Sequence, residues 1–440
     1  MNTQVDAPHT PVPAVSDRKP RVKALAAAIS ASAIEYYDFM IYGTAAALVF
    51  HGQFFPEVSP TAGVLASFAT FAVGFAARPL GAAVFGRIGD RHGRKPALVS
   101  AMVLMAMAST LIGLLPNFAM AGIMAPLLLV VLRIAQGMAI GGQWGGVSLL
   151  ALEHAPPNRR GLYGAIPQLG VPFGMITGNL VFILVGHLVG PEAFDSWGWR
   201  IPFLLSIVML PLAYAIHRNI EDSPEFRRAE QERQNRAQAA PKSPLLEVLR
   251  RPKAVLLAAG TFAPATISFY IITTGMLDYG VHELGMGKNA MLTAVLIAMS
   301  GWTAGTIGCA ALSDTIGRRP VFAAGAAVAG AWSFVVFPLA DTRELPLLTL
   351  GLFVGLAAVG AMQGPAIAMF AEMFPPRMRY TGASLGHQLA NVVGGGWAPL
   401  SMVALLNVGG GTILVSVYVS AAAVLGLIPL ALLGRTKESS

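Results

Sequence analysis

Glu35, Asp38 and Tyr42 stand at i, i+3 and i+7 in an apolar run, a spacing that lines two carboxyls and a phenol along one face of a helix. Arg78 and Arg133 are embedded in similar runs, as are Gln136, Gln143 and the pair His387 and Asn391. An aspartate in mid-membrane costs about 2.5–3.5 kcal/mol on insertion scales, so Glu35 and Asp38 are expected to face a central cavity and not lipid. A carboxyl there can gain and lose a proton as neighbouring charges change, which is the property a proton-coupled carrier needs. A buried guanidinium needs a partner in turn, and two-pronged contact with a carboxylate is the geometry it makes best. Each carboxyl has a competing reading, a hydrogen bond that only ties helices together. For Arg78, followed by Pro79, a structural ion pair is an equal alternative. His387, with Gln388 and Asn391, makes a polar patch that could titrate near neutrality or simply bond one helix to another.

The elements that hold these groups follow from composition. The 440 residues are 55% hydrophobic and only 12% charged, against about 25% charged in soluble chains, which excludes an ordinary soluble enzyme. With ~20 apolar residues per crossing, the chain resolves into runs at 24–50, 61–86, 96–115, 121–152, 161–187, 200–217, 254–281, 290–312, 320–340, 345–373, 381–406 and 412–433. This predicts an all-α polytopic membrane protein with twelve transmembrane helices in two six-helix halves. The divisions are a tail at 1–23, a first bundle at 24–217, a linker at 218–253, a second bundle at 254–433 and a tail at 434–440. Of the 30 Lys and Arg, only Arg200, Lys288 and Arg343 fall in loops opposite the termini. Arg78 and Arg133 lie within spans and the other 25 share the side of the termini, which the positive-inside rule makes cytoplasmic. In the linker, Ser223, Pro224 and Glu225 suit the start of a short surface helix. Cys309 is the one cysteine, so no intrachain disulfide forms. The excess of eight positive charges belongs to the membrane-side loops and does not imply nucleic acid.

The chain repeats itself. Gly86, Asp90, Arg91, Gly93, Arg94 and Lys95 follow the second helix, and Asp314, Gly317, Arg318 and Arg319 occupy the matching loop after the eighth. Glu153, closing the fourth helix ahead of a Pro-Pro pair, is echoed by Glu372 closing the tenth. Such duplication is expected where a transport site lies between rocking bundles. The first loop resembles the G-x-L-x-D-R-x-G-R-K signature of the major facilitator superfamily, and Arg133 to Gly137 resembles its R-x-x-Q-G motif. Glu35 to Gly43, Arg78 to Gly81, Gly141 to Gly146 and Trp197 to Phe203 are similar to the metabolite:proton symporter branch, and Ala45 to Phe50, Phe54 to Pro56 and the Gly161 to Gly174 region resemble its shikimate-permease-like members. Three residues depart from these patterns: Thr315 stands where the signature has Arg, Ala310 where it has Gly, and Gln143 where the branch has Glu.

The resemblance implies alternating access, with the loops latching one conformation and Arg133 serving proton transfer or substrate contact. The leading expectation is proton-coupled uptake of a small carboxylated metabolite, shikimate-like or dicarboxylate, by a monomer in a bacterial inner membrane. A proline- or betaine-type osmolyte symporter and a proton-coupled exporter are alternatives on the same fold. A non-transporting nutrient sensor is the alternative of another class. The partners are then an organic acid or zwitterion, protons and the bilayer, with no cofactor. No G-x-x-x-x-G-K-[S/T] stretch is present, and His51, His92 and His187 have no metal-ligand spacing.

Overall fold

In lipid a backbone can satisfy its hydrogen bonds only within itself, so the apolar runs become helices. The computed structural model describes residues 18–92, 94–153, 155–208, 210–211, 252–374 and 379–435. The linker helix expected near Ser223 and both tails fall outside these, apart from Arg18 to Lys23 of the first tail and Gly434 and Arg435 of the second. The principal helices are α1 (Arg18–Leu48), α2 (Pro60–His92), α3 (Arg94–Leu114), α4 (Met124–Glu153), α5 (Arg160–Val189), α6 (Gly198–Val208), α7 (Pro252–Glu283), α8 (Lys288–Ile316), α9 (Arg318–Asp341), α10 (Leu345–Met373), α11 (Gly382–Val408) and α12 (Gly411–Arg435). Among the described residues nine of these are long and apolar enough to cross a membrane, and Val99–Leu114 and Gly198–Val208 are shorter apolar helices. No strand occurs among the described residues.

Small residues set the helix pairing. Gly170, Gly174 and Gly178 of α5 lie against α1, where added methyls would meet Ser32, Ala33, Tyr37 and Ile41. Gly301 and Gly305 of α8 meet Phe353 and Ala357 of α10 in the same way. The Gly394–Gly396 stretch is a wide π turn in α11, and it also packs closely: a Cβ at Gly395 would fall 2.6 Å from Tyr270 and 2.7 Å from Phe75. Glycine there lets α11 touch α7 of its own half and α2 of the other. At the start of α6, Arg200 donates to the carbonyls of Gly113 and Leu115, satisfying acceptors that the end of α3 leaves without helical partners.

The seam between α1–α6 and α7–α12 is bridged at both ends. At one end Lys288 Nζ lies 2.6 Å from Asp195, whose carbonyl is held within the first half by Gln53 at 2.7 Å. The His51 and His282 rings meet edge to face there at 4.9 Å. Burial, with His282 and Lys288 next in size, pushes His51 down to about 4, so the ring is uncharged at neutral pH. At the other end Asp314 accepts the N–H groups of Gly161 at 2.7 Å and Leu162 at 3.1 Å, and so holds α8 to the first turn of α5. Arg318 clamps that carboxylate, reaching Asp314 at 3.1 Å and Glu372 at 2.7 Å. Gly317, at φ 95°, supplies the left-handed break that turns the chain from α8 into α9.

Asp314→Asn keeps the shape and removes the charge behind two backbone hydrogen bonds, each charge-assisted contact being worth about 1.5–3 kcal/mol. Alkylation of a cysteine placed at Leu162 should therefore rise in Asp314→Asn, and an unchanged labelling rate would show that this contact does not hold the seam.

Candidate functional site

Three helices of the first half converge on Arg133, which is fully buried. Its guanidinium lies 4.0 Å from the centre of the Tyr42 ring, 4.3 Å from Phe39 and 4.8 Å from Phe71. A desolvated contact of this kind is worth about 2 kcal/mol. The room comes from Gly74 of α2, where a Cβ would stand 2.9 Å from the guanidinium carbon. α4 reaches α2 this closely because Gly137 and Gly141 lie against the backbone of Gly74 and Arg78, and Gly81 against Met138.

Arg133 donates to Gln136 Oε1 at 3.0 Å, and Gln136 Nε2 donates to Ser109 at 2.8 Å. Ser109 in turn faces the carboxyl of Asp38, and Ser206 donates to Asp38 Oδ1. The second oxygen, Oδ2, is buried without a hydrogen-bond partner. Asp38 is thus enclosed by α3 and α6 inside the first half, and does not face the central seam as its place on α1 suggests. The carboxylate partner expected for Arg133 is replaced by ring faces and an amide: among the described residues Arg133 makes no ion pair, and its Nε and Nη2 lack hydrogen-bond partners.

Glu35 points another way. It is buried and feels the charge of Arg78. Arg78 sits over the rings of Phe39 at 4.4 Å and Phe75 at 4.2 Å, and acts electrostatically on Tyr270 and on His387. Tyr270 closes the aromatic cluster from the second half, 5.2 Å from Phe75 and 5.8 Å from Phe71. Tyr42 serves as a wall, its hydroxyl donating to Thr70 at 2.6 Å. His387 stacks near Phe262 at 5.0 Å, and Asn391 bonds its carbonyl at 2.9 Å and its ring at 3.1 Å. The side chains of Gln143, Gly86, Asp90, Arg91, Arg94, Lys95 and Glu153, and the whole of Gly93, lie outside the described residues, so the first latch loop and position 143 are not placed.

Phe39, Phe71 and Phe75 were not singled out by their types, yet Phe71, Phe75 and Arg78 recur at i, i+4 and i+7 and form one stripe of α2. Ser109 and Ser206 gave no signal, because a lone serine is common in a membrane helix.

Helices of this length, enclosing charged groups at the seam of two bundles, define a polytopic membrane carrier. Residues 28–399 match the Major Facilitator Superfamily, and the chain belongs to that superfamily. It is 38% identical over 426 residues to the inner membrane metabolite transport protein YhjE of Escherichia coli (strain K12), across 96% of each chain. It is also 38% identical over 392 residues to the shikimate transporter of that organism, across 88% of each. The proline/betaine transporter of the same strain is 29% identical over 419 residues, 94% of this chain and 83% of that one. A crystal structure of a D-xylose-proton symporter shares the fold, with a TM-score of 0.71 at 18% identity, over 92% of this chain and 97% of that one. The chain is a multi-pass membrane transporter and not an enzyme.

Gly74→Ala forces the Arg133 side chain out of its seat. The protein should still reach the membrane while transport falls at least about tenfold, a loss of about 1.4 kcal/mol. Wild-type uptake by a correctly inserted Gly74→Ala protein would mean that the position of Arg133 is not critical.

Proposed function

We propose that the chain is a proton-coupled importer of a small carboxylated metabolite, working by alternating access between bundles 24–217 and 254–433. The supporting observation is the buried guanidinium of Arg78, held over the Phe39 and Phe75 rings with its Nε–H unpartnered. A buried cation with unused donors calls for an anion. Asp38 supplies the proton site. Its Oδ1 is held by Ser206 while Oδ2 is unoccupied, so a proton can sit on Oδ2 without breaking a hydrogen bond. The relatives named for metabolite and shikimate transport agree with this substrate class. The strongly basic loops on the side of the termini support a cytoplasmic placement of both ends in a bacterial inner membrane.

A betaine-type zwitterion is the second reading, favoured by the aromatic cluster and by a proline/betaine transporter among the relatives. The ring faces of Phe39, Phe71, Phe75 and Tyr42 are, however, already occupied by guanidiniums. A quaternary ammonium entering there would meet two like charges, which favours the carboxylate.

Proteoliposome uptake of radiolabelled shikimate, succinate and glycine betaine, with and without an imposed pH gradient, tests the reading. Accumulation of a carboxylate only when the gradient is inward is expected, and gradient-independent uptake or uptake of glycine betaine alone would refute it. Asp38→Asn should abolish uphill accumulation, because an amide carries no exchangeable charge, while exchange of internal for external substrate partly survives. Full gradient-driven accumulation by Asp38→Asn would remove Asp38 from the proton path.

A further inference from the structure

The two arginines are not equivalent, although both are buried and both touch Phe39. The ring and hydrogen-bond partners of Arg133 among the described residues all come from the first half, Tyr42, Phe71, Phe39 and Gln136, and from the second half it feels only the electrostatics of Tyr270. It is fully enclosed and has no surface left for a ligand. Arg78 keeps 5% of its surface and looks across the seam. It lies over Phe75, which meets the Tyr270 ring of α7 at 5.2 Å, and it acts electrostatically on Tyr270 and on His387 of α11, while Phe39, Phe75 and Glu35 come from its own half. Its Nε is buried and without a hydrogen-bond partner. α2 is fixed under it by Gly141, which packs on the Arg78 carbonyl, so the guanidinium is presented from a rigid backbone.

A carrier that passes its substrate between two rocking bundles must hold it with groups from both. We infer that Arg78, with the Tyr270 hydroxyl opposite it, seats the carboxylate of the transported acid. Arg133 is then a positioning residue. It holds Phe39 and, through Gln136 and Ser109, is linked to the Asp38 carboxyl. The resemblance implies proton transfer or substrate contact for Arg133, and a structural ion pair is an equal alternative for Arg78; the inference gives the substrate contact to Arg78 and leaves Arg133 on the side of the proton site. The inference rests on the carboxylate reading above, and the test separates the two.

Binding of radiolabelled shikimate, succinate, benzoate and glycine betaine is measured on the full-length protein in detergent, and uptake on the same proteins in liposomes. For whichever carboxylate the wild type binds, Arg78→Lys should weaken affinity by about tenfold or more, since an ammonium cannot reproduce a two-pronged contact. Tyr270→Phe, which keeps the ring and removes only the hydroxyl, should weaken it by about three- to tenfold. Arg133→Lys should bind within about threefold of wild type yet lose gradient-driven uptake, a split that a general structural defect would not produce. Wild-type affinity in both Arg78→Lys and Tyr270→Phe, with binding lost in Arg133→Lys, overturns the assignment and leaves the carboxylate reading standing. If Arg78→Lys fails to fold, Tyr270→Phe decides alone, and unchanged affinity there overturns it. A wild type that binds glycine betaine and none of the three carboxylates overturns the substrate class and this inference with it.

Discussion

The arrangement depends on keeping the Arg133 guanidinium away from water at a tolerable free-energy cost. An isolated charge in an apolar interior costs several kcal/mol even after relaxation. Here the compensation is distributed over three ring faces and one amide oxygen. Each of those contacts imposes a requirement of its own. The rings must come from α1 and α2, so those helices cannot slide past each other. The guanidinium must lie where a side chain at position 74 would be, so that position must be glycine. α4 must then approach α2 at backbone distance, which Gly137 and Gly141 permit. The small-residue seam of the first half and the charge inside it are one feature seen from two sides.

The seam between the halves is held by different means along its length. Its middle is aromatic, with Tyr270 set among Phe39, Phe71 and Phe75. Its ends are polar and unequal. The Lys288–Asp195 pair is exposed, with 32% and 52% of the two side chains open to solvent, and pairs of that kind contribute about 0–1 kcal/mol. Asp314 is 7% exposed, is bonded to two backbone N–H groups and is gripped by Arg318. Separation at the Lys288 end therefore costs less, and a carrier that opens alternately at its two ends would part there first from the state described here.

Much of this was readable from residue types, and the limits have physical causes. Apolar run lengths located the helices, and the paired loops located Asp314, Arg318 and Glu372. That Asp314 binds across the seam was not readable, because its partners are backbone N–H groups of Gly161 and Leu162, which every residue but proline possesses. Thr315 stands where the signature has Arg, and Asp314 and Arg318 form their contact without an arginine at 315. Intramembrane charge marked Glu35, Asp38, Arg78 and Arg133 as special. It could not assign their partners, since a buried arginine can lie against ring faces as well as pair with carboxylates and composition does not distinguish the two.

The separation of Glu35 from Asp38 follows from helix geometry. Residues three apart on an α-helix are offset by about 60°, which is close enough to share a face and wide enough to meet different neighbours. α1 sits where that offset matters: one carboxyl turns toward Arg78 and the seam, while the other turns toward Ser109 and Ser206 within the bundle. Under the proposed coupling, proton and substrate engage the chain at two points on one rigid helix and need not touch. The connection between them runs through the Phe39 ring, which borders both arginines, and through Arg133, Gln136 and Ser109 to Asp38. Movement of Arg78 on a carboxylate alters the electrostatics at Phe39 and therefore the seat of Arg133, so the state of Asp38 can respond to occupancy without a direct ion pair.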